Sequence, residues 1–282
     1  MEKIGLLLDS TTLTRGDIVN YPFIKVAPLI VTIDGVNYSE LELTTEDMLH
    51  HLHNAKKMTT SQPSPGEFMS IYEEYYKEGY TQILVITLSE KISGTFQSAM
   101  IAKTMIEFPM EISIHAPKVA SFGVANGIPI LAKMIEKNQP FDKIVDRYHV
   151  LFKDACVMFT LSNLMHLFRG GRLSRVQALL GTVLRIKPIV EMIDGKLQLT
   201  KKERTNIACY DYFMSVIDNY VQKNEKVYID IIQLNRPELA EKMKKEVETK
   251  YPKAKIHMTD YVSPVFFVHL GDQGFGIAVL AE

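Results

Sequence analysis

Short all-apolar runs separated by helix-length segments of mixed polarity set the rhythm of the first half of the chain. Ile4 to Leu8 is one such run, and it opens at once into Asp9-Ser10-Thr11-Thr12, the pattern of a buried strand that ends in a polar loop. Gln82 to Leu88 and Glu111 to His115 predict two more strands. The apolar spacing between Thr44 and Lys57 predicts a helix capped by Thr44 or Thr45, with the acids Glu46 and Asp47 in its first turn. Ser64-Pro65-Gly66-Glu67 is a complete start signal for a second helix, running to about Lys77: a capping serine, proline at the first helical position and an acid three residues after the cap. After Ser89 to Gly94 a third helix is expected from about Thr95 to Glu107. Strand, glycine turn and helix in succession form the unit of α/β folds.

Two tight turns stand out. Asp34-Gly35, between Ala27 to Ile33 and Val36 to Tyr38, tolerates the positive φ that a type I′ hairpin requires, and Asp194-Gly195, between Ile189 to Ile193 and Lys196 to Thr200, repeats it. Phe122 to Lys137 reads as a mostly apolar buried helix, and Asn138-Gln139-Pro140 precedes another that reaches about Phe152. From Cys156 the pattern changes. Helices are expected around Leu161 to Phe168, Ser174 to Leu184 and Arg204 to Gln222, mixed with strands at Val227 to Gln233, Lys255 to Met258, Val265 to His269 and Ile277 to Leu280. The chain is therefore expected to be α/β over residues 1–154, followed by an α+β domain over residues 155–282.

The 282 residues suffice for two such units, and 46% hydrophobic with 23% charged residues excludes collagen, coiled coil and wholesale disorder. Lysine and arginine total 32 against 33 acids, so no overall basic field recruits nucleic acid. Cys156 and Cys209 stand far apart without a metal-ligand spacing, and His50, His51 and His53 lack accompanying ligands, so neither a disulfide nor a metal site is expected. No apolar stretch approaches 18 residues, which predicts a cytoplasmic protein with no integral membrane association.

Candidate chemistry collects in four places. Thr59-Thr60-Ser61-Gln62-Pro63-Ser64 leaves Thr60 and Ser61 free once Ser64 is used as a cap, and hydroxyls beside a helix start suit a small anion; ordinary turn residues satisfying local backbone are the alternative. Ser93-Gly94-Thr95 repeats the arrangement after the next strand, so hydroxyls at neighbouring strand ends can reach both oxygens of one carboxylate. No glycine-rich nucleotide fingerprint and no Gly-x-Ser-x-Gly elbow accompanies them. Arg169-Gly170-Gly171-Arg172-Leu173-Ser174 places two guanidiniums about a flexible turn, either an anion clamp or a solvated basic loop. His269, at the end of its expected strand, is either a donor or base at a site or a core histidine.

Taken in order, Asp9-Ser10-Thr11-Thr12, Thr60-Ser61-Gln62-Pro63-Ser64, Ser93-Gly94-Thr95, Arg169-Gly170-Gly171-Arg172-Leu173-Ser174 and His269-x-Gly271 resemble the DegV family across nearly the whole chain. That resemblance implies a two-domain fold, an N-terminal three-layer α/β/α unit with a parallel sheet and a C-terminal α+β unit with a mixed sheet. It implies one long-chain fatty acid between them, held by Thr60, Ser61, Ser93, Gly94, Thr95 and His269, with no cofactor and no catalytic residue. It further implies a fatty acid kinase subunit as partner, met by Arg172 and Arg169, and acyl phosphate destined for phospholipid synthesis. The family usually reads His-x-Gly-Pro-Gly where this chain has Gly271-Asp272-Gln273-Gly274. Two other readings stand beside the carrier: an acyl hydrolase or transferase using Ser93, His269 and an acid such as Asp9 or Asp272, and a regulatory lipid sensor.

Overall fold

Strands whose residues are apolar on both faces require cover on both, and β1 (Ile4–Asp9) is buried at all six positions. In the computed structural model, which describes residues 3–13, 20–173, 186–259 and 261–282, β1 lies inside an all-parallel sheet. The order is β2 (Ile24–Ala27), β1, β6 (Gln82–Ile86) and β7 (Glu111–His115). A small antiparallel sheet stands beside it, with β3 (Ile30–Ile33) between β4 (Val36–Ser39) and β5 (Met58–Ser61). Asp34 and Gly35 take φ of 49° and 90°, the double positive turn expected between β3 and β4. The expected strand from Ala27 to Ile33 is two strands, because Pro28 lacks an N–H and ends the first ladder. Met58 to Ser61, read as a loop before a helix, pairs with β3 as β5.

Helices α1 (Thr45–Asn54) and α2 (Pro65–Lys77) begin at Thr44 and Ser64, each closing a capping box, with Asp47 and Glu67 respectively. Helix α3 (Thr95–Met105) follows β6. The long helix expected from Phe122 is broken into α4 (Phe122–Ala125) and α5 (Ile128–Glu136), since Pro129 can only enter a helix in its first turn. Helix α6 (Phe141–Phe152) packs against α5, and Gly127 lets the Phe152 ring approach to where a Cβ would stand 2.4 Å away.

A six-stranded mixed sheet runs β10 (Lys196–Glu203), β9 (Lys187–Ile193), β8 (Cys156–Leu161), β13 (Gly274–Ala281), β11 (Val227–Leu234) and β12 (Lys255–Met258), with only the last pair parallel. Alternation along β8 divides its side chains. Cys156 and Met158 join the core beneath α8 (Asn206–Lys223) and α9 (Pro237–Lys250), while Val157, Phe159 and Leu161 face the other half of the molecule. The expected helix over Leu161 to Phe168 is a correction: Leu161 is the last residue of β8, and α7 is only Met165–Arg169, its first N–H donating to Asn163 Oδ1 at 2.8 Å. The expected strand from Val265 to His269 is a second correction. Those residues form α10 (Pro264–Leu270), started by Pro264 and stopped by Gly271 at φ 81°. The helix expected over Ser174 to Leu184 lies outside the described residues. Among the described residues no helix is long and apolar enough to cross a membrane.

Candidate functional site

The parallel sheet ends on one edge in three polar loops, after Asp9, Ile86 and His115, and the six-stranded sheet turns its Val157, Phe159 and Leu161 face towards that edge. Between them lies a cavity of about 950 Å³ of atom-free space, its open mouth included. Its wall is almost wholly apolar, from Leu29 and Leu88 on one side to Phe159, Ile232 and Phe275 on the other. Among the described residues, the polar side chains on it are Thr60, Ser93, Ser121, Arg172 and His269.

Thr60 reaches the cavity from β5, and period-2 alternation turns its neighbour Ser61 outwards, where it is exposed and away from the wall. The Thr60 Oγ1 lies 2.8 Å from Nε2 of His269, which α10 brings from 209 residues away. Burial, with smaller contributions from the charges of Arg172 and His166, pushes His269 down to about 4, so the imidazole is neutral at pH 7. A neutral imidazole has one N–H. When Nε2 carries it, that N–H donates to Thr60 Oγ1 and the threonine hydroxyl proton is left to point elsewhere. His269 Nδ1 is buried without a hydrogen-bond partner, and Gly170 packs so closely on it that a Cβ there would stand 2.6 Å away.

Ser93 belongs to the loop before α3. Its Oγ accepts the Thr95 N–H at 3.3 Å and lies 2.8 Å from Thr95 Oγ1. With the Thr95 hydroxyl donating to Ser93, the Ser93 proton remains available to the cavity. Thr95 is fully buried behind it and off the wall. Gly94 also lies off the wall and makes room for Gln62, whose amide would meet a Cβ at 2.8 Å. Thr60, Ser93 and His269 are thus brought to one cavity, with Thr95 and Gly94 supporting Ser93 and Ser61 outside.

Arg169 is exposed at the end of α7. Arg172 lies on the cavity wall, its Nε donating to the Ile92 carbonyl at 3.2 Å and its Nη1 to the Gly170 carbonyl at 2.5 Å. It therefore ties the Ser93 loop to the glycine turn and supplies the one positive charge on the wall among the described residues. Ser174 lies outside the described residues.

Sequence reasoning missed Ser121. Its backbone sits at φ 51° and ψ −118°, an uncommon conformation for a residue with a side chain, and its Oγ is buried without a partner on the cavity wall. The signal was present, because Ser121 follows β7 as Ser93 follows β6. Neither acid considered for a catalytic triad meets His269. Asp9 accepts from the N–H of Leu88 and from Thr11, and Asp272 lies 3.6 Å from His53 of α1. Gln273, the other departure from the family turn, accepts from Arg236 at 2.9 Å. The arrangement offers hydroxyl donors and one guanidinium to an anionic head, and apolar surface to a tail.

A family model described as "Uncharacterised protein, DegV family COG1307" matches residues 3–282. A DegV domain-containing protein of Listeria innocua is 33% identical over 280 residues, 98% of each chain, and one of Staphylococcus aureus is 30% identical over the full length of both. Among solved structures, that of DegV, a fatty acid binding protein from Bacillus subtilis, is 28% identical, covers both chains fully and superposes with a TM-score of 0.90. A fatty-acid-binding DegV family protein from Thermus thermophilus is 25% identical, covers 99% of this chain and all of its own, and has a TM-score of 0.88.

Proposed function

This chain belongs to the DegV family, and from that premise we propose that it is a carrier that binds one long-chain fatty acid between residues 1–154 and 155–282. It presents the carboxylate to a separate kinase. The observation that carries this reading is the cavity itself, apolar nearly throughout and interrupted by the hydroxyls of Thr60 and Ser93 beside a neutral His269. The relative from Bacillus subtilis, which binds fatty acid, supports it.

Burying about 14 methylenes at roughly 0.8 kcal/mol each contributes on the order of 11 kcal/mol, so the tail supplies affinity and the head supplies orientation. Hydroxyl donors hold a carboxylate without neutralising it. One carboxylate oxygen then attacks the γ-phosphorus of ATP on the kinase; the new O–P bond forms as the bond to ADP breaks, and ADP leaves with its electron pair. The acyl phosphate so formed is prone to hydrolysis, and an apolar cavity shields it on its way to phospholipid synthesis. A supply of ATP makes the cytoplasm the setting for this exchange. Arg169, exposed at the end of α7, and Arg172, on the wall beside His269, are the groups proposed to meet the kinase side.

The hydrolase reading requires a Ser93–His269–acid chain, whereas Ser93 bonds Thr95 and His269 bonds Thr60. Titration with a fatty acid should give one site per chain, and Thr60→Ala and Ser93→Ala should each weaken it tenfold or more, the loss of a charge-assisted hydrogen bond of about 1.5 to 3 kcal/mol. Turnover of acyl thioesters that disappears in Ser93→Ala would instead establish an enzyme.

A further inference from the structure

A carboxylate is a costly group to bury, and Glu40 is fully buried between the two halves of the chain. It opens the short 3-10 turn after β4, and its own N–H donates to the Leu29 carbonyl at 2.9 Å. One carboxylate oxygen accepts from Ser10 Oγ. The other accepts from Ser263 Oγ and, at 3.3 Å, from the Val265 N–H. Ser10 Oγ in turn accepts the Leu29 N–H at 2.8 Å. The carboxylate thus joins the loop after β1 to the first turn of α10, 223 residues further along the chain from Glu40. No apolar side chain of the same volume could make that connection, because it depends on two polar atoms on one fork.

The consequence falls on His269. Helix α10 has seven residues, about 10 Å at 1.5 Å per residue, and it is held at both ends: by Glu40 at Ser263 and Val265, and by Thr60 at His269. A short rigid helix released at one end moves at the other. Leu29 and Val265, which the Glu40 network holds by their backbones, also form part of the cavity wall. Among the described residues, the titratable groups that face Glu40 are Asp9 and Tyr261. Neither is a cation, so among those residues no ion pair competes with the hydrogen bonds as the reason for the acid.

We infer that Glu40 is a positioning residue for the head-group site: it anchors the first turn of α10 and so sets His269 against Thr60. The role in lipid binding rests on the carrier reading; the placement of His269 does not. The test uses the full chain with 15N-labelled histidine and reads the His269 imidazole resonances in ligand-free protein beside fatty-acid affinity. Glu40→Ala should shift those resonances and weaken binding about tenfold or more. Glu40→Gln, which keeps an acceptor for the Val265 N–H, should hold both close to the wild type. A folded Glu40→Ala protein with unchanged His269 resonances overturns the inference. Should that variant fail to fold, Ser263→Ala severs one strand of the tether while leaving the acid, and it must still shift His269; unchanged resonances there overturn the inference equally. Wild-type protein that binds no fatty acid counts against the carrier reading, while the His269 resonances still decide the role of Glu40.

Discussion

Thr60 and Ser93 can offer protons to a ligand because other groups, His269 and Thr95, satisfy their oxygens. The charge of Arg172 helps to hold His269 well below its ordinary 6.5, after burial itself, so Arg172→Ala should raise the histidine above its present value of about 4; an NMR titration in which it stays put would contradict that placement. Glu40 responds in the opposite sense. Burial, opposed by its hydrogen bonds to Ser10, Ser263 and Val265, leaves it raised from 4.5 to about 7. Between those values the folded chain holds a proton that the unfolded chain has released, so this group makes stability fall as pH rises. Glu40→Gln removes the effect, and its Tm relative to wild type should climb from pH 5 to pH 8; a constant difference would show that Glu40 does not titrate there. Thr60, Ser93 and His269 were legible as residues because hydroxyls before helices and a histidine before a glycine are local patterns. Ser121 was marked only by its place after a strand, and Glu40 not at all: their burial comes from chain segments far away in sequence.

At the scale of elements, the two Asp-Gly turns show what a local signal does and does not contain. Both hairpins form where the dipeptide demands, with positive φ at Asp34, Gly35, Asp194 and Gly195. Their surroundings differ. A Cβ on Gly35 would meet nothing within 4 Å, while one on Gly195 would fall 2.2 Å from Ser89 Oγ, in the loop that leads to Ser93. Gly35→Ala should therefore cost only the backbone term of about 1 kcal/mol, and Gly195→Ala up to about 3 kcal/mol, read from urea midpoints. Equal losses would mean that the second turn does not press on that loop. The same limit explains α10. Val265 to His269 form a short run of β-branched and aromatic residues as a strand would, and the helix forms because Pro264 starts it, Gly271 ends it and α1 and β5 pack against it. Only the first two of those causes are written locally.

For the whole molecule, three of the four strands of the parallel sheet and both hairpins followed from apolar runs and turn residues. The cavity did not, because it is made by period-2 faces of two sheets meeting across the chain, and β8, whose Val157, Phe159 and Leu161 form much of one wall, reads as an undivided apolar run. What depends most on that meeting is the ligand. Protein purified from bacterial cells, extracted with organic solvent and analysed by mass spectrometry, should release fatty acid at close to one molecule per chain from the wild type and far less from a folded Thr60→Ala/Ser93→Ala double variant. Wild-type protein that is reproducibly free of lipid and takes up none when fatty acid is added would contradict the account.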